Sequence, residues 1–294
     1  MTIEAQLQHP SDFIPRLRHR LRVRWAEVDM QRIVFNAHYL TYFDVAIAAY
    51  WRALALPYEE AMHALQGDIY LRKATLDFAG SARLDDELEV GLGCRRVGDT
   101  SMRFEGALFR QQTRLVTCKL VYVFADPTTQ KSKAVPAPLR AAISAWESGE
   151  ATFDVTVGDW TALGEAAGSL RQAVFVEEQQ IPKELEWDEA DATALHAVAR
   201  NRLGQSIATC RLLPAQAGVA RIGRMAVHRA VRGAGLGAAV LRALEQTAKA
   251  RGDHAVALHA QRSAVAFYTR LGYAPHGDPF AEAGIEHLEM QRSL

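Results

Sequence analysis

A short glycine-rich stretch in the second half of the chain has the residue types needed to grip a phosphate group. It reads Arg-Gly-Ala-Gly-Leu-Gly, from Arg232 to Gly237. An alternating apolar segment, Val219 to Val227, precedes it, and a helix-like segment, Leu236 to Ala250, follows. Such a turn exposes backbone N–H groups at the positive end of the helix dipole, and the arginine adds charge-assisted contacts. We therefore expect a phosphorylated cofactor to bind here.

Three kinds of nucleotide site contain a glycine turn, and the neighbouring residues separate them. Gly233-x-Gly235-x-x-Ala238 formally fits a dinucleotide fingerprint. The next predicted strand, Ala255 to Ala260, ends without the carboxylate that would hold a ribose, and too little chain follows for a Rossmann domain. The Gly-Lys-Ser/Thr of a P-loop is absent from this stretch. A coenzyme A diphosphate site is the third interpretation.

Two motifs, in the same order along the chain, make the second half similar to the GNAT superfamily of acyl-CoA-dependent N-acyltransferases. Arg232 to Gly237 resembles the family's Arg/Gln-x-x-Gly-x-Gly/Ala motif, and Phe267 to Tyr273 resembles its Phe-Tyr-x-x-x-Gly-Phe/Tyr signature. Arg224 to Val227 resembles its splayed central strand. The resemblance covers roughly residues 152–294 and implies coenzyme A, carried as acetyl-CoA or another acyl-CoA, as a substrate.

The same resemblance implies roles for individual residues. Backbone groups of Met225 and Val227 would pair with pantetheine, and Tyr268 would protonate the departing thiolate as a general acid. Glycines would let the backbone approach the ligand closely. The residues implied to hold the diphosphate are Arg232, Gly233, Gly235 and Gly237.

The acceptor side of the second half resembles one GNAT subgroup. Arg171 to Gln179 is similar to the first helix of that subgroup, and Gly284 to Met290 is similar to its last segment. On this basis Glu177, Glu178 and His287 are candidates for lining a pocket that binds an amine, and a solvated or structural role is the alternative for each. Neither the general base nor the acceptor amine follows from the residues.

In the first half, polar residues are dense between a predicted strand and a predicted helix. The segment from Val23 to Asp44 contains Asp29, whose carboxylate has the chemistry to attack a thioester carbonyl or to activate water. A nearby helix N-terminus can polarise that carbonyl through its free N–H groups. A helix cap is the plain structural alternative for Asp29.

This segment resembles the hotdog-fold acyl-CoA thioesterases of the 4-hydroxybenzoyl-CoA thioesterase type. Asp29, Val34 and Tyr39 match, in order, the signature Asp-x-x-Gly-x-Val-x-x-x-x-Tyr, and the resemblance covers about residues 18–148. It assigns the catalytic carboxylate to Asp29. Relatives of this type act as dimers with the site at the subunit junction, so we expect a homodimer or larger assembly through the first half.

One residue departs from that signature. Arg32 stands where the family usually has glycine, a position that often presents a backbone N–H to the thioester. The arginine is expected either to alter the shape of the loop or to contact a coenzyme A phosphate. Asn36 and His38, which follow it, are candidates for positioning the substrate.

The elements that must position these residues form two different patterns. In the first half, a long helix at about Tyr39 to Leu54 is combined with alternating segments at 18–25, 69–79, 87–97, 101–111 and 115–125. This predicts an α+β hotdog domain, with an antiparallel sheet wrapped around the helix. In the second half, strands alternate with helices at about 163–179, 236–250 and 264–271, which predicts a GNAT domain with a mixed sheet and flanking helices. Small polar residues near Glu147 to Glu150 mark the boundary, and we assign residues 1–148 and 149–294 to the two domains.

The numbers of charged residues and cysteines indicate which kinds of partner to expect. Lys and Arg together number 34, as do Asp and Glu, so we expect no nucleic-acid partner. The 3 cysteines form no CxxC pair, which argues against a metal or disulfide role and favours a reduced, cytoplasmic setting. Residues 1–15 lack the pattern of a signal peptide, and no apolar run is long enough for a membrane span.

The sequence therefore favours a bifunctional enzyme in which both halves bind acyl-CoA. The first half would hydrolyse the thioester, and the second would transfer an acyl group to an unknown amine. The alternative is that only one domain is catalytic and the other is an acyl-CoA-binding regulatory or oligomerisation module.

Overall fold

The chain folds as two compact units, Met1–Thr152 and Phe153–Leu294. The computed structural model describes residues 15–282 and 284–294. The sequence predicts no signal peptide in residues 1–15. All of these residues except Pro15 lie outside the described part. None of the described helices combines the length and apolar character needed to cross a membrane.

The first unit is an antiparallel sheet packed against a long helix. Its strands are β1 (Leu17–Arg22), β2 (Asp68–Phe78), β3 (Glu87–Val97), β4 (Ser101–Arg110) and β5 (Thr113–Ala125). They lie in the order β1-β3-β4-β5-β2, with β2 at one edge. Its helices are α1 (Asn36–Ala53), α2 (Tyr58–Ala64) and α3 (Ala137–Glu147). Alternation on β3 buries Leu88, Val90 and Leu92, and α1 buries Phe43 and Tyr50, so the core lies between sheet and helix.

Three details of the first unit differ from the predicted elements. The long helix begins at Asn36, three residues before the predicted start at Tyr39. The short helices α2 and α3 were not predicted; each starts after a proline, Pro57 or Pro136, which occupies the N-cap position. Helices this short, of 7 and 11 residues, contain few turns over which an apolar period can be recognised.

The second unit is a mixed sheet with helices on its faces. Its strands are β6 (Phe153–Gly158), β7 (Leu195–Asn201), β8 (Ser206–Leu212), β9 (Val219–Val227), β10 (Ala255–Gln261), β11 (Ala274–Pro275), β12 (Phe280–Glu282) and β13 (Ile285–Ser293). The order is β11-β13-β10-β9-β8-β7-β6, and β12 pairs with β13. The β9–β10 pair is parallel and the other pairs are antiparallel.

The described residues of this unit form four α-helices beside the sheet. They are α4 (Trp160–Arg171), α5 (Lys183–Glu186), α6 (Leu236–Arg251) and α7 (Val265–Arg270). Leu163 and Ala167 of α4 pack against Val198 of β7, and α6 buries Val240 and Leu244. The predicted α+β class, with a helix-packed antiparallel sheet followed by a mixed sheet with flanking helices, is confirmed.

The helix predicted at 163–179 is two different helices in the structure. α4 ends at Arg171, and the next seven residues, Gln172–Glu178, form a π-helix. Extended π-helices are rare, and π-helical turns occur frequently at functional sites. The change of helix type coincides with Arg171, whose side chain is buried.

Candidate functional site

The central feature of the second unit is a cleft between two parallel strands. β9 and β10 pair over only three positions, from Val219–Ala255 to Arg221–Ala257, and no further pair joins them within the described residues. On its other side β9 remains paired with β8 as far as Val227. Backbone groups of β9 that face β10 after Arg221 are therefore not used by the sheet, and an extended ligand can pair with them. Met225 lies in this stretch.

A β-bulge marks the point where the two strands separate. The register of β8 against β9 shifts between Thr209 and Arg211, and Arg224 has φ of 50°, in the left-handed region. A bulge bends a strand and increases its twist, which re-aims the residues that follow. The Arg224 side chain donates to the carbonyl oxygens of Leu185 at 3.1 Å and Glu186 at 3.2 Å. These bonds hold a conformation that costs an arginine roughly 1 kcal/mol or more.

The glycine turn follows β9 and leads into α6. Gly233 and Gly235 have φ of 88° and 83°, and Gly235 is the N-cap of α6. The first N–H groups of a helix have no acceptor within it, so this turn presents donors at the positive end of the dipole. A Cβ at Gly233 or Gly235 would meet no atom within 4 Å. The left-handed backbone conformation favours glycine at both positions, and the close approach of a ligand to this backbone stays a prediction.

Arg232 begins the turn, and all three nitrogens of its guanidinium group donate hydrogen bonds within the protein. Its Nε donates to the carbonyl oxygen of Val227 at 3.0 Å, and its two terminal nitrogens donate to the two carboxylate oxygens of Glu178, each at 2.7 Å. These hydrogen bonds from Arg232 hold the pKa of Glu178 below its usual value. Glu178 is a candidate for lining an amine pocket, and the structure places its carboxylate at the glycine turn.

Tyr268 on α7 points at the wall of the cleft. Its hydroxyl donates to the sulfur of Met225 at 3.4 Å, and its side chain is buried, with 8% of the residue exposed. Burial raises the pKa of Tyr268, so the hydroxyl keeps its proton at neutral pH. Because a thioether is a weak acceptor, the proton remains available to a stronger one.

The other two acceptor-side candidates are not brought together with Glu178. Glu177 is exposed, and its carbonyl oxygen accepts from Gln180 Nε2 at 2.6 Å. His287 on β13 shares a hydrogen bond of 2.9 Å between its Nδ1 and the carbonyl oxygen of Ile285, and its ring stacks on Phe280 at 6.0 Å between centroids. The structure therefore gives the His287 ring local partners, whereas the hydrogen bond at Glu177 is made by its backbone.

A polar cluster that the sequence did not single out lies where β9 and β10 begin to separate. His259 on β10 bonds through Nδ1 to Glu282 at 2.9 Å, and its Nε2 lies against Arg221. Arg221 also donates to Glu289 at 3.1 Å. A signal was present in the sequence, because His259 interrupts the apolar run from Ala255 to Ala260.

A buried ionic network under α4 was also missed. Arg171 donates to Glu186 and to both carboxylate oxygens of Asp191, at 2.8 and 3.0 Å. Arg211 of β8 donates to Asp191 at 2.8 Å and to Asp188. Burial raises the pKa of Glu186 despite these arginines. The network fixes the segment that follows the π-helix onto the sheet.

In the first unit, Asp29 lies at the start of a tight turn. Its N–H donates to the carbonyl oxygen of Ile33 at 2.9 Å, and its Oδ1 accepts from the N–H of Gln31 at 2.8 Å. No side-chain or backbone donor of the described residues bonds to its Oδ2. The helix α1 starts after the turn, with Phe35 as an N-cap that provides no side-chain bond. The alternative interpretation of Asp29 as a helix cap is therefore wrong, and the carboxylate precedes an uncapped helix N-terminus.

Arg32 in the same turn has φ of 62°. This left-handed conformation explains why glycine suits the position, since only glycine adopts it without steric cost. The N–H of Arg32 donates to the carbonyl oxygen of Asp29 at 2.9 Å, so the turn itself uses it. Asn36 and His38 both lie in the first turn of α1, and the His38 ring meets the edge of Phe35 at 6.1 Å.

Glu27 is a buried carboxylate near this turn that the sequence did not reveal. It is 3% exposed and accepts hydrogen bonds from the Tyr42 hydroxyl at 2.7 Å and from Arg24. Burial would raise its pKa, but these hydrogen bonds outweigh burial and the pKa is lowered. Its carbonyl oxygen accepts from the N–H of Phe35, which ties the start of α1 to this residue.

The described side chains contain no group of three His, Cys, Asp or Glu placed to hold a metal ion. Cys94, Cys118 and Cys210 are free thiols and are buried. Burial raises the pKa of Cys94 and of Cys118 to about 12. Thiols that stay protonated at neutral pH are weak nucleophiles.

Comparison with known proteins divides the chain in the same two parts. Residues 23–143 match the model of the thioesterase-like superfamily, and residues 164–294 match the model of the acetyltransferase (GNAT) domain. The uncharacterized N-acetyltransferase YjcF of Bacillus subtilis is 34% identical over 124 residues, which cover 42% of this chain and 87% of that protein.

Solved structures resemble one part of the chain each. An acyl-CoA N-acyltransferase from Pseudomonas aeruginosa is 34% identical, with a TM-score of 0.44, and the match covers 48% of this chain and 99% of that one. A probable thioesterase from Bartonella henselae is 19% identical, with a TM-score of 0.39, over 41% of this chain and 98% of that one. The family matches confirm the predicted fusion: the chain belongs to the GNAT acetyltransferase family through its second half and joins to it a thioesterase-like hotdog domain.

Proposed function

We propose that the chain is a bifunctional acyl-CoA enzyme, in which the hotdog domain hydrolyses a thioester and the GNAT domain transfers an acyl group to an amine. The observation that carries the proposal is the position of Tyr268. Its hydroxyl proton is aimed at Met225 in the cleft, and the glycine turn lies at the end of the same strand. The free backbone groups and the anion site thus follow one another along β9 and the turn after it, and the proton donor on α7 contacts β9 at Met225.

The features of the cleft support coenzyme A, bound as an acyl thioester substrate. Backbone groups of Met225 and Val227 would pair with pantetheine, and the turn from Arg232 to Gly237 would hold the diphosphate. The amine would attack the carbonyl carbon and form the C–N bond, and the C–S bond would break. The departing thiolate would take the proton of Tyr268, while the new amide nitrogen loses a proton to a base that is not assigned.

The turn at Asp29 supports hydrolysis in the hotdog domain. The free Oδ2 of Asp29 is available to attack the thioester carbonyl or to take a proton from an attacking water. The N-terminus of α1, where Asn36 and His38 lie, would stabilise the negative charge that develops on the carbonyl oxygen. If Asp29 attacks, an anhydride between the acyl group and Asp29 forms as the C–S bond breaks, and water then hydrolyses this anhydride. If Asp29 activates water, the water oxygen bonds to the carbonyl carbon and the C–S bond breaks. Both routes consume water and release a carboxylate and coenzyme A.

We further propose that the hotdog domain forms a homodimer. β2 is an edge strand of 11 residues, and its Leu71 and Phe78 are large exposed apolar side chains. A long, exposed edge strand with apolar side chains is prone to pair with another chain. We place the protein in the cytoplasm, with acyl-CoA and an amine as its partners and with neither nucleic acid nor membrane among them.

One observation favours a second candidate function, in which the hotdog domain binds acyl-CoA without hydrolysing it. The N–H of Arg32 is used by the carbonyl oxygen of Asp29, so the backbone donor that the family often offers to the thioester is occupied. A domain with weakened polarisation of the carbonyl would act as an acyl-CoA-binding regulatory or oligomerisation module.

The experiment that separates these functions measures free coenzyme A released from a panel of acyl-CoA thioesters, with and without primary amines. The bifunctional proposal predicts release without amine and a further release that depends on the amine. Amine-dependent release alone would support the second candidate and overturn hydrolysis. Release that no amine increases would overturn acyl transfer.

A further inference from the structure

Two neighbouring residues at the end of the π-helix are bonded to opposite sides of the cleft. Glu178 accepts two hydrogen bonds from Arg232, which follows β9. Gln179 accepts one from Gln261 Nε2 at 3.1 Å, and Gln261 is the last residue of β10. These two residues, which we call the strap, therefore link the ends of the two strands whose separation forms the cleft.

The π-helix that precedes the strap is packed into the core, and the strap itself is partly exposed. Val174 and Phe175 in the π-helix pack with Leu170 and with Ala226 of β9. At the other end, Glu178 keeps 35% of its side chain exposed. Next to the strap, Gln180 has φ of 57°, in the left-handed region. Because this exposed end contacts the two strands through side-chain bonds, it can leave them without unpacking the core.

Glu178 also uses the donors that the proposed diphosphate needs. Its two oxygens take both terminal nitrogens of Arg232, the bidentate arrangement that arginine forms with phosphate as well as with carboxylate. Arg229 and His228 add to the positive potential at Glu178. Two anions cannot share one guanidinium fork in this way, so the carboxylate and a diphosphate compete for it.

We infer that Glu178 is an internal competitor for the diphosphate-binding arginine, and that acyl-CoA binding displaces it and opens the strap. The inference rests on the proposed acyl-CoA site. A diphosphate carries more negative charge than one carboxylate and is also held by the N–H groups of the glycine turn, so it displaces Glu178. Displacement frees the strap beside Gln261.

The direct test is a calorimetric titration of the full-length chain with coenzyme A alone. Glu178→Gln keeps the size of the side chain and removes its charge, and Glu184→Gln is the matched control on an exposed residue of α5. We expect Glu178→Gln to bind coenzyme A about threefold to fivefold more tightly than the wild type, since a partly exposed ion pair is worth about 1 kcal/mol or less. We expect Glu184→Gln to stay within about twofold of the wild type.

Each result has a distinct meaning. If the wild type binds coenzyme A and Glu178→Gln binds it equally or more weakly, Glu178 does not compete with the ligand and the inference is wrong. If the wild type does not bind coenzyme A, the proposed transferase site fails, and the inference fails with it. A role of Glu178 in merely holding Arg232 in place would weaken binding, which is the opposite of the expected shift.

Hydrogen exchange gives a second readout of the same event. Coenzyme A should speed exchange of the backbone N–H groups of Gln179 and Ile181, which now bond to Val174 and Phe175. In Glu178→Gln these groups should exchange faster even without the ligand. Slower exchange of this segment on adding coenzyme A to the wild type would contradict an opening strap.

Discussion

The hydroxyl of Tyr268 and the sulfur of Met225 lie 3.4 Å apart at the point where β9 has left β10. The pair joins a proton donor on α7 to the strand that is proposed to bind pantetheine. Burial keeps the tyrosine protonated, and the thioether offers only weak competition for its proton. This relationship makes Tyr268 the candidate general acid.

Tyr268→Phe should therefore slow acyl transfer while leaving the fold intact. We expect kcat for amine-dependent release of coenzyme A to fall by about 10² or more, because general acid catalysis commonly contributes about 10² to 10⁴. KM for acyl-CoA should change little. Tyr273→Phe is the control, since its hydroxyl bonds to Glu245 away from Met225; equal losses in both variants would point to packing rather than proton transfer.

Asp29→Asn should remove hydrolysis in the hotdog domain. The amide retains an oxygen that can accept the Gln31 N–H, so the turn is preserved while the nucleophile or base is lost. We expect amine-independent release of coenzyme A to fall by about 10² or more. Glu59→Gln, an exposed carboxylate in the first turn of α2, is the matched control. Hydrolysis at the wild-type rate in Asp29→Asn would show that another residue performs this reaction.

Arg32 offers a test of backbone strain. Glycine accepts φ of 62° without cost, whereas a β-branched residue does not. Arg32→Gly should match or exceed the wild type in the free energy of unfolding, and Arg32→Val should be about 1–2 kcal/mol less stable than Arg32→Gly. Chemical denaturation measures the difference. Equal stability of the two variants would mean that the turn adopts another conformation in solution.

The buried network predicts acid sensitivity of the GNAT domain. Burial would raise the pKa of Asp191, but the hydrogen bonds from Arg171 and Arg211 lower it below its usual value of 3.8. An acid with a lowered pKa contributes stability that is complete above its usual value and is lost as the pH falls towards the lowered one. The wild type should therefore lose stability below about pH 4.

Asp191→Asn should lack this part of the acid dependence. At pH 7 we expect the free energy of unfolding of Asp191→Asn to be about 3 kcal/mol lower than that of the wild type, because the substitution removes a charged partner from two buried arginines. Denaturant unfolding at pH values from about 3, just below the usual aspartate pKa, up to about 7 measures both effects. An unchanged pH profile in the variant would assign the acid sensitivity to other groups.

The parts of the site that the sequence predicted are those encoded locally. The glycine turn and Tyr268 each lie within a short motif, and the turn conformation at Gly233 and Gly235 follows from residue type. The contact of Glu178 with Arg232 joins residues 54 apart, and that of Arg171 with Asp191 joins residues 20 apart. Such pairs depend on how the helices pack on the sheet, which no local pattern records.

The helix types show the same limit. The apolar period predicted one helix from 163 to 179, because a π-helix buries a similar set of apolar residues, here Val174 and Phe175. Hydrogen-bond pattern, not residue type, distinguishes it from an α-helix. The strap at its end was therefore not foreseeable.

The proposed function gives one chain two separable acyl-CoA activities. They are measured together by assaying coenzyme A release by full-length wild type, Asp29→Asn, Tyr268→Phe and the double variant, each with and without a panel of primary amines. We predict that Asp29→Asn loses only the amine-independent release, that Tyr268→Phe slows only the amine-dependent release, and that the double variant loses both. A single substitution that removes both activities would contradict two independent sites.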